Sequence, residues 1–207
     1  MIPKIAAIVL LALAGAALAQ VGTNTDLLDA NSASEADLVT APHMSAALAQ
    51  TIVARRPFAR VADLDGLLGQ SLSAEQRQAL YGRLFLGINL NTASPAEIRL
   101  IPGMTDRLVH EFEEYRPYTS LEQFRREIGK YVPAAEVARL EQYVFVPMSL
   151  NRASREAFLT IPGLSERMAH EFEEYRPYTS LEQFRREIGK YVDAKEVARL
   201  ERYVTLD

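Results

Sequence analysis

His110–Val132 reads HEFEEYRPYTSLEQFRREIGKYV, and His170–Val192 repeats it letter for letter. An identity of that length at an offset of 60 residues makes internal repetition the feature that sets the architecture. The offset extends outward from the duplicated stretch. Asn31, Asn91 and Asn151 fall in one column, and Pro42, Pro102 and Pro162 in another. Arg56-Pro57-Phe58, Arg116-Pro117-Tyr118 and Arg176-Pro177-Tyr178 share a register. The chain therefore divides into units at 27–86, 87–146 and 147–207, preceded by residues 1–19 and a polar linker at 20–26.

Within the second unit the local signals are helical. Ser94-Pro95-Ala96-Glu97 is a capping box with proline at the first helical position, and its helix is expected to stop near Ile101, where Pro102-Gly103 breaks it. Thr105 can cap the next helix, whose Leu108, Phe112 and Tyr115 lie on one face. Arg116-Pro117 ends that helix. Ser120-Leu121-Glu122-Gln123 reads as a second capping box, followed by the apolar stripe Leu121, Phe124 and Ile128, with Gly129 as a C′ residue. A last helix is expected from about Pro133 to Tyr143, with Val137, Leu140 and Val144 inward. No stretch alternates long enough to predict a sheet. The first unit keeps the frame with Ser34 and Asp37 in place of Ser94 and Glu97, but its turn reads Pro42-His43-Met44-Ser45.

The first 19 residues predict export. Lys4 is followed by an apolar run from Ile5 to Ala19 that ends in the Ala17-Leu18-Ala19 cleavage pattern. The run has 15 residues, short of the roughly 20 that span a bilayer as a helix. A periplasmic or otherwise exported bacterial protein is expected, with no membrane span after cleavage. The whole chain of 207 residues is 48% apolar and 24% charged, as in ordinary globular proteins. Its formal charge is −4, and loss of Lys4 with the leader makes it −5. With no cysteine, disulfide frameworks, thiolate metal sites, a cysteine nucleophile and a lipoprotein anchor are excluded.

Asn89-Leu90-Asn91-Thr92-Ala93-Ser94, then Ile101-Pro102-Gly103-Met104, then Tyr115-Arg116, resembles the helix-hairpin-helix domain of ComEA-type competence proteins. Leu150-Asn151-Arg152-Ala153-Ser154 and Ile161-Pro162-Gly163-Leu164 repeat the pattern. The resemblance implies an all-α chain of three tandem helix-hairpin-helix units, SAM/RuvA-C-like, after a cleaved signal peptide. It also implies non-enzymatic, sequence-independent binding of DNA in the cell envelope, as in DNA uptake. A glycine-rich turn exposes backbone N–H groups that can hold a phosphate oxygen, and a nearby cation adds Coulomb attraction. Gly103, Thr105, Arg107, Gly163, Ser165 and Arg167 are the implied DNA-binding residues. Thr105 and Ser165 stand where the family carries its second glycine, His43 stands in place of the first in unit one, and Asp106 and Glu166 lie beside the turns. Pro162-Gly163-Leu164-Ser165-Glu166-Arg167 is also similar to a hairpin of the small extrinsic lumenal subunit of photosystem II. That likeness implies the alternative, a protein-interaction or scaffold module that has lost DNA binding.

Other candidates read as ordinary surface or core. The unit charges are −1, −2 and, to residue 206, 0. Arg125-Arg126 with Lys130, and Arg185-Arg186 with Lys190, are basic clusters expected to pair with Glu122 and Glu182 on a solvated face. Glu111, Glu113, Glu114 and their copies read as a polar face opposite Phe112 and Phe172. His110 and His170 lack the spacing of a zinc site. Tyr115, Tyr118, Tyr131 and Tyr143 read as core edges with hydroxyls in water. No catalytic constellation, metal, cofactor or small-molecule substrate is expected.

Overall fold

A computed structural model describes residues 21–22 and 26–206; the leader lies outside the described residues. Among the described residues, twelve helices and six two-residue strands follow one order three times. The first repeat runs β1 (Leu28–Asp29), α1 (Glu35–Leu38), α2 (Ala46–Arg55), α3 (Val61–Leu68), α4 (Ala74–Tyr81) and β2 (Leu84–Phe85). The second runs β3 (Ile88–Asn89), α5 (Pro95–Ile98), α6 (Asp106–Glu114), α7 (Leu121–Ile128), α8 (Ala134–Glu141) and β4 (Val144–Phe145). The third runs β5 (Met148–Ser149), α9 (Arg155–Phe158), α10 (Glu166–Glu174), α11 (Leu181–Ile188), α12 (Ala194–Glu201) and β6 (Val204–Thr205).

Local chemistry sets the helix starts. Ser94 accepts from the Glu97 N–H while the Glu97 carboxylate accepts from the Ser94 N–H, a complete capping box. Thr105 and Ser165 accept from the N–H groups of Leu108 and Met168, capping α6 and α10. Ser120 caps α7, but Gln123 does not close the box; its side chain accepts from the Thr119 N–H and donates to the Tyr115 and Pro117 carbonyls. Gly129 is not a left-handed C′ residue. Its φ is −60°, the helical turn continues through it, and a Cβ there would lie 2.7 Å from the Arg125 carbonyl oxygen.

The sheet content is small and absent from the sequence reading. Each repeat closes on itself by a parallel pair, β1 with β2, β3 with β4 and β5 with β6. In the second repeat the Ile88 N–H donates to the Tyr143 carbonyl at 2.9 Å and the Leu90 N–H to the Phe145 carbonyl at 3.0 Å. Two residues per strand are too few for an alternating pattern to register.

The aligned asparagines and Arg-Pro pairs have a shared structural task. The Asn91 side chain bonds both the N–H and the carbonyl of Tyr118, at 2.6 and 2.9 Å. Asn31 holds Phe58 and Asn151 holds Tyr178 in the same way. Arg116 donates to the carbonyls of Leu90 and Ala93, as Arg56 and Arg176 do in their own repeats. The three Arg-Pro bonds are cis. The loop before α3, α7 or α11 is thus pinned to the segment after the first strand of its repeat.

The repeats pack on one another through their ends. Phe85 meets Tyr143 edge-on at 4.9 Å, and Phe145 meets Tyr203 at 4.6 Å, the same pair one repeat later. The Tyr143 hydroxyl donates to the Tyr81 carbonyl. The first two repeats share one continuous core, and the third builds its core around Phe158, Phe172 and Phe184 with Phe145 added. Val21, within the stretch read as a linker, is buried beside Phe145 and bridges to it, and the Gly22 N–H donates to the Val144 carbonyl. Among the described residues, no helix is long and apolar enough to cross a membrane.

Candidate nucleic-acid interface

The residues at the Pro-Gly turns lie where two helices of each repeat meet. In the second repeat α5 ends, the chain passes through Ile101-Pro102-Gly103-Met104, and α6 begins at its cap Thr105. Gly103 has φ 78° and Gly163 φ 74°, a left-handed conformation that glycine adopts without a Cβ penalty. His43 takes the same place in the first repeat with φ 60°. Gly103, Thr105, Arg107, Gly163, Ser165 and Arg167 are all exposed. The first amides of a helix lack acceptors in the preceding turn; here those of Leu108 and Met168 are taken by the caps, and those of Met104 and Leu164 by the Ile101 and Ile161 carbonyls.

Thr105 and Ser165 act first as helix caps. Their oxygens accept from the helix, leaving the hydroxyl hydrogen as the group available to a ligand. Asp106 is held by Arg99 at 2.9 Å, so its charge is partly neutralised. Arg107 lies over the Tyr131 ring at 5.1 Å and Arg167 over the Tyr191 ring at 5.7 Å. Among the described residues neither arginine has a carboxylate partner. Tyr131 bonds the Tyr115 hydroxyl at 2.8 Å, and that bond, with Glu111 adding to it, pushes its phenol well above the ordinary range. Lys130 covers the Tyr115 ring at 4.8 Å. The third repeat reproduces this arrangement with Arg167, Lys190, Tyr175 and Tyr191.

The other basic clusters are internally paired. Arg125 makes a two-pronged bond to Glu141, at 2.6 and 2.7 Å, rather than to Glu122. Arg185 bonds Glu201 in the same way and reaches Glu182 at 3.5 Å. Glu127 takes both Arg126 and Lys130, and Glu187 takes both Arg186 and Lys190. Lys130 draws the Glu127 carboxyl below its usual range, and Lys190 does the same to Glu187. Two tyrosines expected at core edges are buried outright: the Tyr118 hydroxyl contacts the Glu111 carbonyl and the Tyr143 hydroxyl the Tyr81 carbonyl.

Arg139 and Arg199 were not among the sequence candidates, yet each backs a turn. Arg139 Nη2 lies 3.4 Å from where a Cβ of Gly103 would stand. Arg199 Nη1 donates to the Pro162 carbonyl at 2.5 Å. The column was readable: arginine occurs 36 residues after each turn glycine, whereas His43 is followed at that distance by Ala79. The two sites differ in openness. The Arg139 side chain is 33% exposed and that of Arg199 is 5% exposed. Ser32 of the first repeat packs against Gly163, its Cβ 3.4 Å from the position a Cβ would take. The turn of the second repeat is therefore the less encumbered of the two. Comparison with protein-family models, curated proteins and solved structures finds no match to this chain.

Proposed function

We propose that this chain is an exported, non-enzymatic protein of three helix-hairpin-helix units that binds the DNA backbone without reading sequence. The observation that carries the reading is the exposed Pro-Gly turn, with Gly103 at φ 78° and Gly163 at φ 74°, beside Arg107 and Arg167, which no carboxylate among the described residues occupies. A helix start behind an exposed turn and a nearby cation suit a phosphate oxygen. The ComEA-like opening and turn motifs and the leader fit a role in DNA capture at the cell envelope.

The test is a titration of the mature chain with fluorescein-labelled duplex DNA at 50 and 200 mM salt. Binding that weakens steeply with salt is expected, because counterion release drives backbone contacts. Combined Arg107→Ala and Arg167→Ala substitution should weaken it uniformly across sequences. Absence of binding at 50 mM salt would overturn the reading.

A second reading, a protein-docking module, draws on two observations. The basic clusters on α7 and α11 are paired with glutamates, and acidic Asp106 and Glu166 open the helices that follow the turns. That reading predicts no salt-sensitive DNA binding in the same titration.

A further inference from the structure

A cleft of about 380 Å³ opens where the three repeats meet, away from the turns described above. The start of α3 contributes Arg60 and Val61, the segment from Gly87 to Ala93 contributes Ile88, Glu97 stands on α5, and Phe145 and Arg202 complete the wall. Its volume lies in the range of small-molecule sites, and its lining combines apolar walls with a few charged groups, as such sites do.

Two arginines and one glutamate line this cleft. Arg60 forks onto Glu97, at 2.8 and 2.5 Å, leaving Glu97 only 4% exposed. Arg202 is fixed by two main-chain carbonyls: Nε donates to that of Ala59 at 2.9 Å and Nη2 to that of Gly87 at 2.8 Å. Its guanidinium lies over the rings of Phe145 and Tyr203, at 5.6 and 5.4 Å. Held at two nitrogens, it keeps the third, Nη1, buried without a hydrogen-bond acceptor among the described residues. A buried cationic donor without a partner is costly, so it asks for an anionic acceptor.

The repeats supply an internal control. Arg60 stands in the column of Ser120 and Ser180, Glu97 in that of Asp37 and Ala157, and Arg202 in that of Gly82 and Gln142. No other repeat has arginine in either of the two arginine columns. In a chain that copies 110–132 without a change, the charge set of this junction is its own.

From this juxtaposition of Arg202, Arg60 and apolar walls we infer that the cleft is a binding site for a small organic carboxylate with an apolar body. Among the lining residues two cations and one anion leave a single positive charge, with Asp63 outside the lining accepting from the Arg60 N–H. A carboxylate balances it, whereas a phosphate monoester brings nearly twice that charge. A planar carboxylate also matches the edge of a guanidinium. Val61, Ile88 and Phe145 would take the hydrocarbon part. The inference is independent of DNA binding.

The test uses the mature chain with benzoate and hexanoate as probes, and benzamide and inorganic phosphate as controls. Saturable rises in melting temperature are expected with both carboxylates and with neither control. In 15N-labelled protein, benzoate should shift the amide signals of Gly87, Ile88 and Asn89 and leave those of Gly103 and Gly163 in place. Arg202→Gln, which installs the residue of the second repeat, should weaken benzoate tenfold or more. No saturable response to either carboxylate, or shifts confined to other residues, would overturn the site. So would phosphate binding as tightly as benzoate, or an Arg202→Gln protein that binds like wild type.

Discussion

Single positions in this chain come with their own comparison set, because each residue has two counterparts 60 and 120 positions away. Position 60 is the most informative. Ser120 and Ser180 cap α7 and α11, whereas Arg60 gives up a capping hydroxyl at α3 and reaches across to Glu97 in the next repeat. Arg60 first, with help from the Ser94 amide and hydroxyl, holds the Glu97 carboxyl at about 2, against burial that pushes the other way. A carboxylate depressed in the folded state adds stability above its unfolded value, and that stability is lost as pH falls through the folded value. The window here runs from the ordinary 4.5 down to about 2. Because Arg60 is 58% exposed, solvent screening reduces what the pair contributes well below the raw shift. Urea melts should therefore show wild type losing more stability between pH 5 and pH 2 than Arg60→Ser, which keeps only the Ser94 bonds to Glu97. Equal losses would mean that the pair adds nothing. His43 is the second such position: a histidine holds a left-handed conformation that its counterparts give to glycine.

At the scale of elements, each repeat is tied together by backbone contacts that a sequence displays only as columns. Asn91→Ala would free the N–H and carbonyl of Tyr118 and loosen the loop between α6 and α7. A cost of about 1–3 kcal/mol is expected in denaturant melts, since buried main-chain groups would lose their partners. Asn151→Ala should cost a similar amount. The capping serines were legible because cap and amide lie three residues apart. The apolar stripes Leu108, Phe112 and Leu121, Phe124, Ile128 were legible because helical spacing is local. The asparagine and Arg-Pro columns were visible, but their role was not, because each partner is a backbone group 23 to 27 residues away. The paired strands escaped notice for a related reason: register across a whole repeat leaves no trace in a two-residue segment. At the candidate interface the turn glycines and Arg107 were readable from motif spacing. The stacking of Arg107 on Tyr131, and the arginine behind the turn, come from tertiary contacts.

Across the whole molecule, near-identical repeats occupy unequal surroundings. Arg139 and Arg199 share a column and both pair with a glutamate one turn earlier, yet only Arg199 is enclosed. Its removal would leave the Pro162 carbonyl without its donor and a void against the first repeat. Arg199→Ala should cost about 2–4 kcal/mol in thermal melts, while Arg139→Ala should cost about 0–1 kcal/mol, as for partly exposed pairs. Similar losses in both would argue against the asymmetry. The strand pairing has a mechanical consequence. Each repeat begins and ends in two parallel neighbours, so tension applied along the chain pulls β1 and β2 in opposite directions along their length. The hydrogen bonds of Leu28 to Arg83 and of Ala30 to Phe85, both 2.8 Å, then bear load together in shear rather than opening one after the other. Each of the three repeats meets tension through this latch before its helices are strained, so a pull on the chain ends is met by paired main-chain bonds first.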